Sequence, residues 1–185
     1  MATRLFWEKD AKPKALEGKR IAVLGYGSQG RAQSLNLRDG KCDVGVAELP
    51  GSRAWAQAEQ EGWKPTAAAG AVRDADVVCM LVPDMLQPAL YREAVAPNIR
   101  KGAAVLFSHG FNIHFGQIRP AAGLDVIMIA PKGPGSLVRR QYEEGRGVPC
   151  LLAVHQDASG KAFERALAYG CLLYTSPSPR DRTRS

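Results

Sequence analysis

Gly25, Gly27 and Gly30 stand at G-x-G-x-x-G spacing inside Arg20-Ile21-Ala22-Val23-Leu24-Gly25-Tyr26-Gly27-Ser28-Gln29-Gly30. Glycines so spaced suit phosphate binding. Gly25 can take the positive φ that a tight strand-to-helix turn needs. Gly27 has no Cβ, so a pyrophosphate can approach the backbone, and Gly30 lets the following helix pack closely. The free N–H groups at that helix N-terminus would then face the phosphates. A plain structural turn is the alternative for the spacing alone. An apolar strand before it, a helix-forming stretch after it and a second strand beyond favour dinucleotide binding.

Three further positions carry groups that could join such a site. Glu48 stands 18 positions after Gly30. An acidic residue roughly 20 positions on accepts ribose hydroxyls in enzymes that use NAD. A carboxylate there would also repel a 2′-phosphate. Arg53 is the counterweight, since it could pair with that phosphate, and a solvated strand-end charge is the bland reading of Glu48. Pro83-Asp84 and Ser108-His109-Gly110 each follow an apolar run. His109, beside Gly110, can face a crevice at a strand end; a capping or core-edge histidine is the alternative. His114 and His155 read as structural. Lys132 could face an anionic substrate or simply sit in its Pro/Gly loop.

The elements that would position these groups alternate between strand and helix. Strands are predicted over 21–24, 43–47, 76–82, 103–107, 125–130 and 149–154. Helices are predicted over 31–38, 53–61, near 85–94 and over 159–169, with Ser52 as the N-cap of the second. Residues 67–74 read as a short strand and a helical turn, and Phe6 and Trp7 as lead-in residues packing on the domain. Alternation at these lengths predicts an α/β fold, a doubly wound, Rossmann-like parallel sheet. Ligands bind such sheets at the carboxyl ends of the strands. The glycine turn, Glu48, Asp84 and His109 should therefore converge on one crevice.

Composition narrows the classes. With 185 residues, 45% of them apolar, the chain can bury a sizeable core. No run of about 18 apolar residues suggests a membrane span, and the N-terminus lacks the apolar region of a signal peptide. The net charge of +7 is dispersed without an aromatic-basic stripe, so nucleic-acid binding is not expected. Cys42, Cys79, Cys150 and Cys171 are scattered without a C-x-x-C pair. That usage predicts a cytoplasmic protein with neither a disulfide framework nor a zinc site.

Five ordered stretches resemble the N-terminal nucleotide-binding domain of ketol-acid reductoisomerase, also called acetohydroxy-acid isomeroreductase. They are Gly25-Tyr26-Gly27-Ser28-Gln29-Gly30-Arg31-Ala32-Gln33; Leu81-Val82-Pro83-Asp84; Ser108-His109-Gly110-Phe111-Asn112-Ile113-His114-Phe115; Pro131-Lys132-Gly133-Pro134-Gly135; and Gly147-Val148-Pro149 followed by Ala153-Val154-His155-Gln156-Asp157. The resemblance spans about 6–170, and the His-Gly-Phe-Asn-Ile run is its most specific part. It implies an enzyme of branched-chain amino-acid biosynthesis. Such an enzyme moves an alkyl group within 2-acetolactate or 2-aceto-2-hydroxybutyrate with the help of magnesium. It then reduces the product with NADPH or NADH to a 2,3-dihydroxy acid. It also implies a homo-oligomeric parent. Carried over by position, Gly25, Tyr26, Gly27, Ser28, Gln29 and Gly30, with Asp84, Met85, Leu86 and Gln87, line the cofactor site. Gly135 lies near the nicotinamide, and His109 is the active-site histidine.

Two departures qualify the resemblance. The family usually favours NADPH, gripping its 2′-phosphate with an arginine and serines after the second strand. Here Leu49 takes the expected arginine position, Ser52 fits, and Ala54 replaces a serine. With Glu48 this leans the expectation towards NADH. The second departure is the family's helical C-terminal domain, which carries the metal and substrate ligands. Its carboxylates are not found after Gly170, so magnesium is expected only in a full-length parent. Residues 171–185 resemble a translated transposase-type sequencing adapter and contribute +2 of the net charge. The expected division is a Rossmann-type NAD(P)-binding domain over 1–170 and a non-native tail over 171–185. The alternatives are a non-catalytic dinucleotide-binding module, or another dehydrogenase lacking its substrate domain.

Overall fold

A computed structural model describes residues 5–173. Its sheet has six strands: β1 (Arg20–Leu24), β2 (Asp43–Ala47), β3 (Val77–Met80), β4 (Ala104–Phe107), β5 (Asp125–Pro131) and β6 (Cys150–Gln156). Their spatial order is β2-β1-β3-β4-β5-β6. The first five run parallel. The chain steps outward from β1 to β2, then back past β1 to β3. That reversal leaves a crevice at the carboxyl ends of β1 and β3, the switch point where doubly wound sheets bind ligands.

Strands β3 and β4 are buried along their whole length. Their unbroken apolar runs, Val77-Val78-Cys79-Met80 and Ala104-Val105-Leu106-Phe107, are what burial on both faces demands. On one face Ile21, Val23, Cys79, Leu106 and Ile127 pack against α1 (Ser28–Asp39) and the final helix (Ala162–Leu173). On the other, Leu24, Met80, Val105 and Phe107 pack against two short helices, Ala68–Arg73 and Gln87–Leu90. The second of these continues into a π-helical turn, Tyr91–Val95. Numbered in chain order, the helices are α1, α2 (Arg53–Gln60), α3 (Ala68–Arg73), α4 (Gln87–Leu90), α5 (Phe111–His114), α6 (Gly135–Glu143) and α7 (Ala162–Leu173).

Three features depart from the sequence reading. Strand β6 is antiparallel to β5. Its exposure alternates residue by residue: Leu152 and Val154 pack on the α7 side, while Leu151 stays half exposed. Alternation of this kind marks a strand covered on one face only. Helix α6 has Pro134 and Gly135 at its start, residues that read as loop in the sequence. Helix α7 runs through Leu173, past the expected domain edge at 170, and Leu173 is buried. The rest of the adapter-like stretch, 174–185, lies outside the described residues. In the lead-in, Phe6 meets Phe163 edge-on at 5.1 Å, whereas Trp7 is exposed.

Candidate functional site

The glycine turn joins β1 to α1, and each glycine has its own steric setting. Gly25 has φ +100°, and an added Cβ would lie 2.9 Å from the Val82 backbone nitrogen. At Gly30 a Cβ would meet the Gly25 carbonyl oxygen at 1.9 Å. At Gly27 a Cβ would meet nothing within 4 Å. The first and third glycines are thus required by the protein's own packing. The second leaves an open backbone surface beside the N-terminus of a 12-residue helix. That is a cradle fit for a phosphate.

Gly135 is also enforced by crowding. A Cβ there would lie 1.9 Å from the Ser28 carbonyl oxygen, and its N–H donates to Ser28 Oγ at 3.1 Å. The first turns of α1 and α6 therefore abut at the crevice. Gln29 strengthens the joint by donating from Nε2 to the Gly133 carbonyl at 2.9 Å.

Glu48 follows β2. The bridge between Ala47 and Thr66, with the Glu48 N–H donating to the Thr66 carbonyl at 3.1 Å, fixes its backbone. Its carboxylate accepts from the Tyr26 N–H at 2.7 Å through one oxygen and from the Leu49 N–H at 2.8 Å through the other. Each oxygen keeps acceptor capacity for a further donor. The carboxylate is thereby tied to the glycine turn. Leu49 is 70% exposed. Ser52 caps α2, its Oγ accepting from the Trp55 N–H at 3.0 Å. Arg53 is exposed, and its side chain makes no hydrogen bond or ion pair among the described residues.

Across the crevice, Asp84 and His109 come together. His109 Nδ1 lies 3.8 Å from Asp84 Oδ2 and accepts from the Phe111 N–H at 3.2 Å. A nitrogen that accepts from Phe111 holds no proton, so in the neutral ring the hydrogen is on Nε2. Asp84 is held from below by a buried amide pair. Gln87 Nε2 donates to the Val82 carbonyl at 3.0 Å and to Asp84 Oδ1 at 3.2 Å. Asn112 Nδ2 donates to Gln87 Oε1 and to the Asp84 carbonyl, each at 2.9 Å. Met85 and Leu86 are 82% and 59% exposed.

Two residues expected to line the crevice turn their side chains away from it. Gln87 is only 3% exposed, its amide committed to backbone carbonyls and Asn112. Tyr26 is 1% exposed. Its phenol donates to Glu61 Oε2 and accepts from Trp63 Nε1, both at 2.6 Å. Burial, and then the Glu61 carboxylate, push the phenol far above its ordinary pKa. Tyr26 thus presents its backbone to the turn and its ring to the core.

The sequence reading assigned no role to Gln33, Tyr169 or Asn112. Gln33 is fully buried and donates to Gln29 Oε1 at 3.0 Å, while its Oε1 accepts from the Tyr169 hydroxyl at 2.9 Å. This chain supports the crevice floor from α7. The available signal was two glutamines four positions apart on one helix, Gln29 and Gln33, which face the same way. No three His, Cys, Asp or Glu side chains form a metal cluster among the described residues. The donor set here does not fit a magnesium pair. No helix of the described residues is long and apolar enough to cross a membrane.

Residues 15–175 match the family model described as acetohydroxy acid isomeroreductase, NADPH-binding domain. The chain belongs to the ketol-acid reductoisomerase family. A solved NADH-preferring ketol-acid reductoisomerase from an uncultured archean shares 42% identity with it, at a TM-score of 0.87 over 90% of this chain. The match covers 52% of that enzyme, so the chain spans about half the length of the reductoisomerase it matches. More distant structures share the fold alone. A semialdehyde dehydrogenase NAD-binding protein from Cupriavidus necator, solved with calcium and NAD, matches at 22% identity and TM-score 0.72, over 87% of this chain and 60% of its own. The 3-hydroxyisobutyrate dehydrogenase of Mycobacterium tuberculosis matches at 19% and 0.63, over 85% and 53%. A family of oxidoreductases built on this domain agrees with the cradle and the carboxylate found at the switch point.

Proposed function

We propose that this chain is the cofactor-binding part of a ketol-acid reductoisomerase and that it binds NADH at least as well as NADPH. The observation that carries the cofactor choice is the Glu48 carboxylate, held under the glycine turn by the Tyr26 N–H at 2.7 Å. A carboxylate fixed there accepts ribose hydroxyls and repels a 2′-phosphate. Leu49 and Ala54 withhold two groups that would otherwise grip that phosphate. The NADH preference of the solved relative from the uncultured archean supports the same direction. The family model's NADPH-binding description sets the opposing expectation.

In this reading Gly27 and the N-terminus of α1 bind the pyrophosphate, and Ser28 and Gly135 hold the two helix ends beside it. Met85 and Leu86 flank the cofactor from the β3 side. Asp84 and His109 lie towards the nicotinamide end, where His109 would present Nε2–H to an acceptor oxygen. When bound, the nicotinamide supplies hydride for reduction of a rearranged 2-keto acid. The full-length parent would act on 2-acetolactate or 2-aceto-2-hydroxybutyrate, in the cytoplasm and as a homo-oligomer. Magnesium would be held by residues outside this crevice.

Substitution in the loop after β2 tests the cofactor choice. Charge-assisted hydrogen bonds contribute roughly 1.5–3 kcal/mol each, about tenfold or more in affinity. Leu49→Arg with Ala54→Ser should shift preference towards NADPH by about that factor, and Glu48→Gln should narrow the gap between the cofactors. An unaltered chain that favours NADPH, and loses that preference on Arg53→Ala, would transfer control of the site to Arg53.

A further inference from the structure

Tyr26 occupies an unusual place in the glycine turn. Its backbone N–H is the donor that holds Glu48. Yet it lies between Gly25 and Gly27, two residues with no side chain to restrain the peptide, and Gly25 already sits at φ +100°. The carbonyl side of this peptide is hemmed in by Gly30, and keeping its N–H aimed at Glu48 needs a second anchor on the Tyr26 side. The phenol is that anchor. It sits in a small cluster with Val46, Ala58 and Trp63 beneath α2. Its hydroxyl is used in both directions, as donor to Glu61 and acceptor from Trp63, at 2.6 Å each.

The anchor is itself braced. Glu61 Oε1 pairs with Arg31 Nε at 2.7 Å, and Arg31 directly follows Gly30 on α1. Arg38, two turns further along α1, donates to the Glu61 carbonyl at 2.8 Å and stacks its guanidinium 4.6 Å from the Trp63 ring. Glu61 and Trp63 follow α2, and Arg31 and Arg38 belong to α1. The cluster therefore ties together the two helices that flank the glycine turn and the Glu48 loop.

We propose that Tyr26, through its phenol and the Glu61–Trp63 pair, is a positioning residue for Glu48 and thereby sets the discrimination between NADH and NADPH. The inference rests on the reading of Glu48 given above and extends it to residues that touch neither cofactor. With the phenol anchored, the Tyr26 N–H stays aimed at Glu48, and the carboxylate stays where a 2′-phosphate meets it. With the anchor released, the carboxylate can swing out. NADH then loses a preorganised acceptor and NADPH loses a fixed repulsion. The affinities move in opposite senses, so their ratio changes. A merely structural role would weaken both cofactors together.

The test uses the full chain, titrated with NADH and with NADPH, in four forms: unaltered, Tyr26→Phe, Glu48→Gln and the double variant. Tyr26→Phe should lower the NADH-to-NADPH affinity ratio about three- to tenfold, the range expected for one lost hydrogen bond. In the double variant the ratio should match that of Glu48→Gln alone, since the anchor has nothing left to position. Glu61→Gln keeps an acceptor for the phenol and should restore most of the ratio that Glu61→Ala loses. Equal weakening of both cofactors by Tyr26→Phe, or additive effects in the double variant, would overturn the positioning role while leaving the reading of Glu48 intact. A ratio unmoved by Glu48→Gln would overturn both. Should Tyr26→Phe not fold, Trp63→Phe removes the N–H given to the phenol and is read by the same ratio.

Discussion

Two glycines of one turn should respond to the same added methyl group in opposite ways. At Gly30 the new Cβ would stand 1.9 Å from the Gly25 carbonyl oxygen and 2.9 Å from its carbonyl carbon. Both are backbone atoms of a residue at φ +100° that Leu81 and Val82, just after β3, also crowd, so neither can move aside cheaply. Overpacking of a tight site costs about 1–3 kcal/mol, and a clash this close belongs at the upper end. Alanine regains about 1 kcal/mol over glycine inside a helix. The net loss for Gly30→Ala is therefore about 2 kcal/mol, or roughly 4–8 °C in Tm for a domain of this size. At Gly27 the same Cβ meets nothing within 4 Å, and φ −73° suits any residue. The lost preference for glycine at a helix N-cap and the gain in chain stiffness nearly cancel, so Tm should hold within about 2 °C. NADH affinity should nonetheless fall about tenfold or more, because the methyl group occupies the surface a phosphate would approach. Thermal melts by circular dichroism and calorimetric NADH titrations of both variants provide the comparison. A Gly30→Ala chain as stable as the unaltered one would refute the packing argument, and a Gly27→Ala chain that binds NADH normally would refute the cradle.

Two other outcomes follow from the same geometry. Burial works against the Glu61 charge, but hydrogen bonds from Tyr26 and Arg31, with the Arg31 charge, outweigh it and hold the carboxyl below the ordinary glutamate range. A depressed carboxyl stabilises the fold above its unfolded pKa and loses that contribution as pH falls through the folded one. Glu61→Gln should therefore be less stable than the unaltered chain at neutral pH, with the gap closing on acidification in urea melts; a gap that widens in acid would contradict this. The chain should also show no magnesium-dependent turnover of 2-acetolactate with either cofactor, since no cluster of metal ligands is present among the described residues; turnover in a coupled NAD(P)H-oxidation assay would contradict it.

The parts legible in the sequence were those set by neighbours along the chain. The unbroken apolar runs of β3 and β4 declare strands buried on both faces. Ser52 announces the start of α2, and the glycine spacing announces the turn after β1. Glu48 was visible because β2 ends where its apolar run stops. What the sequence concealed depends on contacts between distant residues. The direction of β6 is set by which strand it meets, and nothing within Cys150-Leu151-Leu152 states that. Helix α6 begins at Pro134-Gly135, residues that signal a loop until Gly135 is seen pressed against Ser28 from 107 positions away. Tyr26 is a lining residue by family resemblance, and only its backbone belongs to the turn. The partners that pull its ring inward, Glu61 and Trp63, lie 35 and 37 positions further on. Gln33 and Tyr169 meet across 136 positions, a separation that local pattern cannot register.

The most direct test is a calorimetric titration of the unaltered chain with NADH and NADPH, side by side at one ionic strength. Glu48 held at 2.7 Å by the Tyr26 N–H, with Leu49 and Ala54 beside it, predicts that NADH binds at least as tightly as NADPH. A clear preference for NADPH would show that the carboxylate does not govern the ribose end of the site.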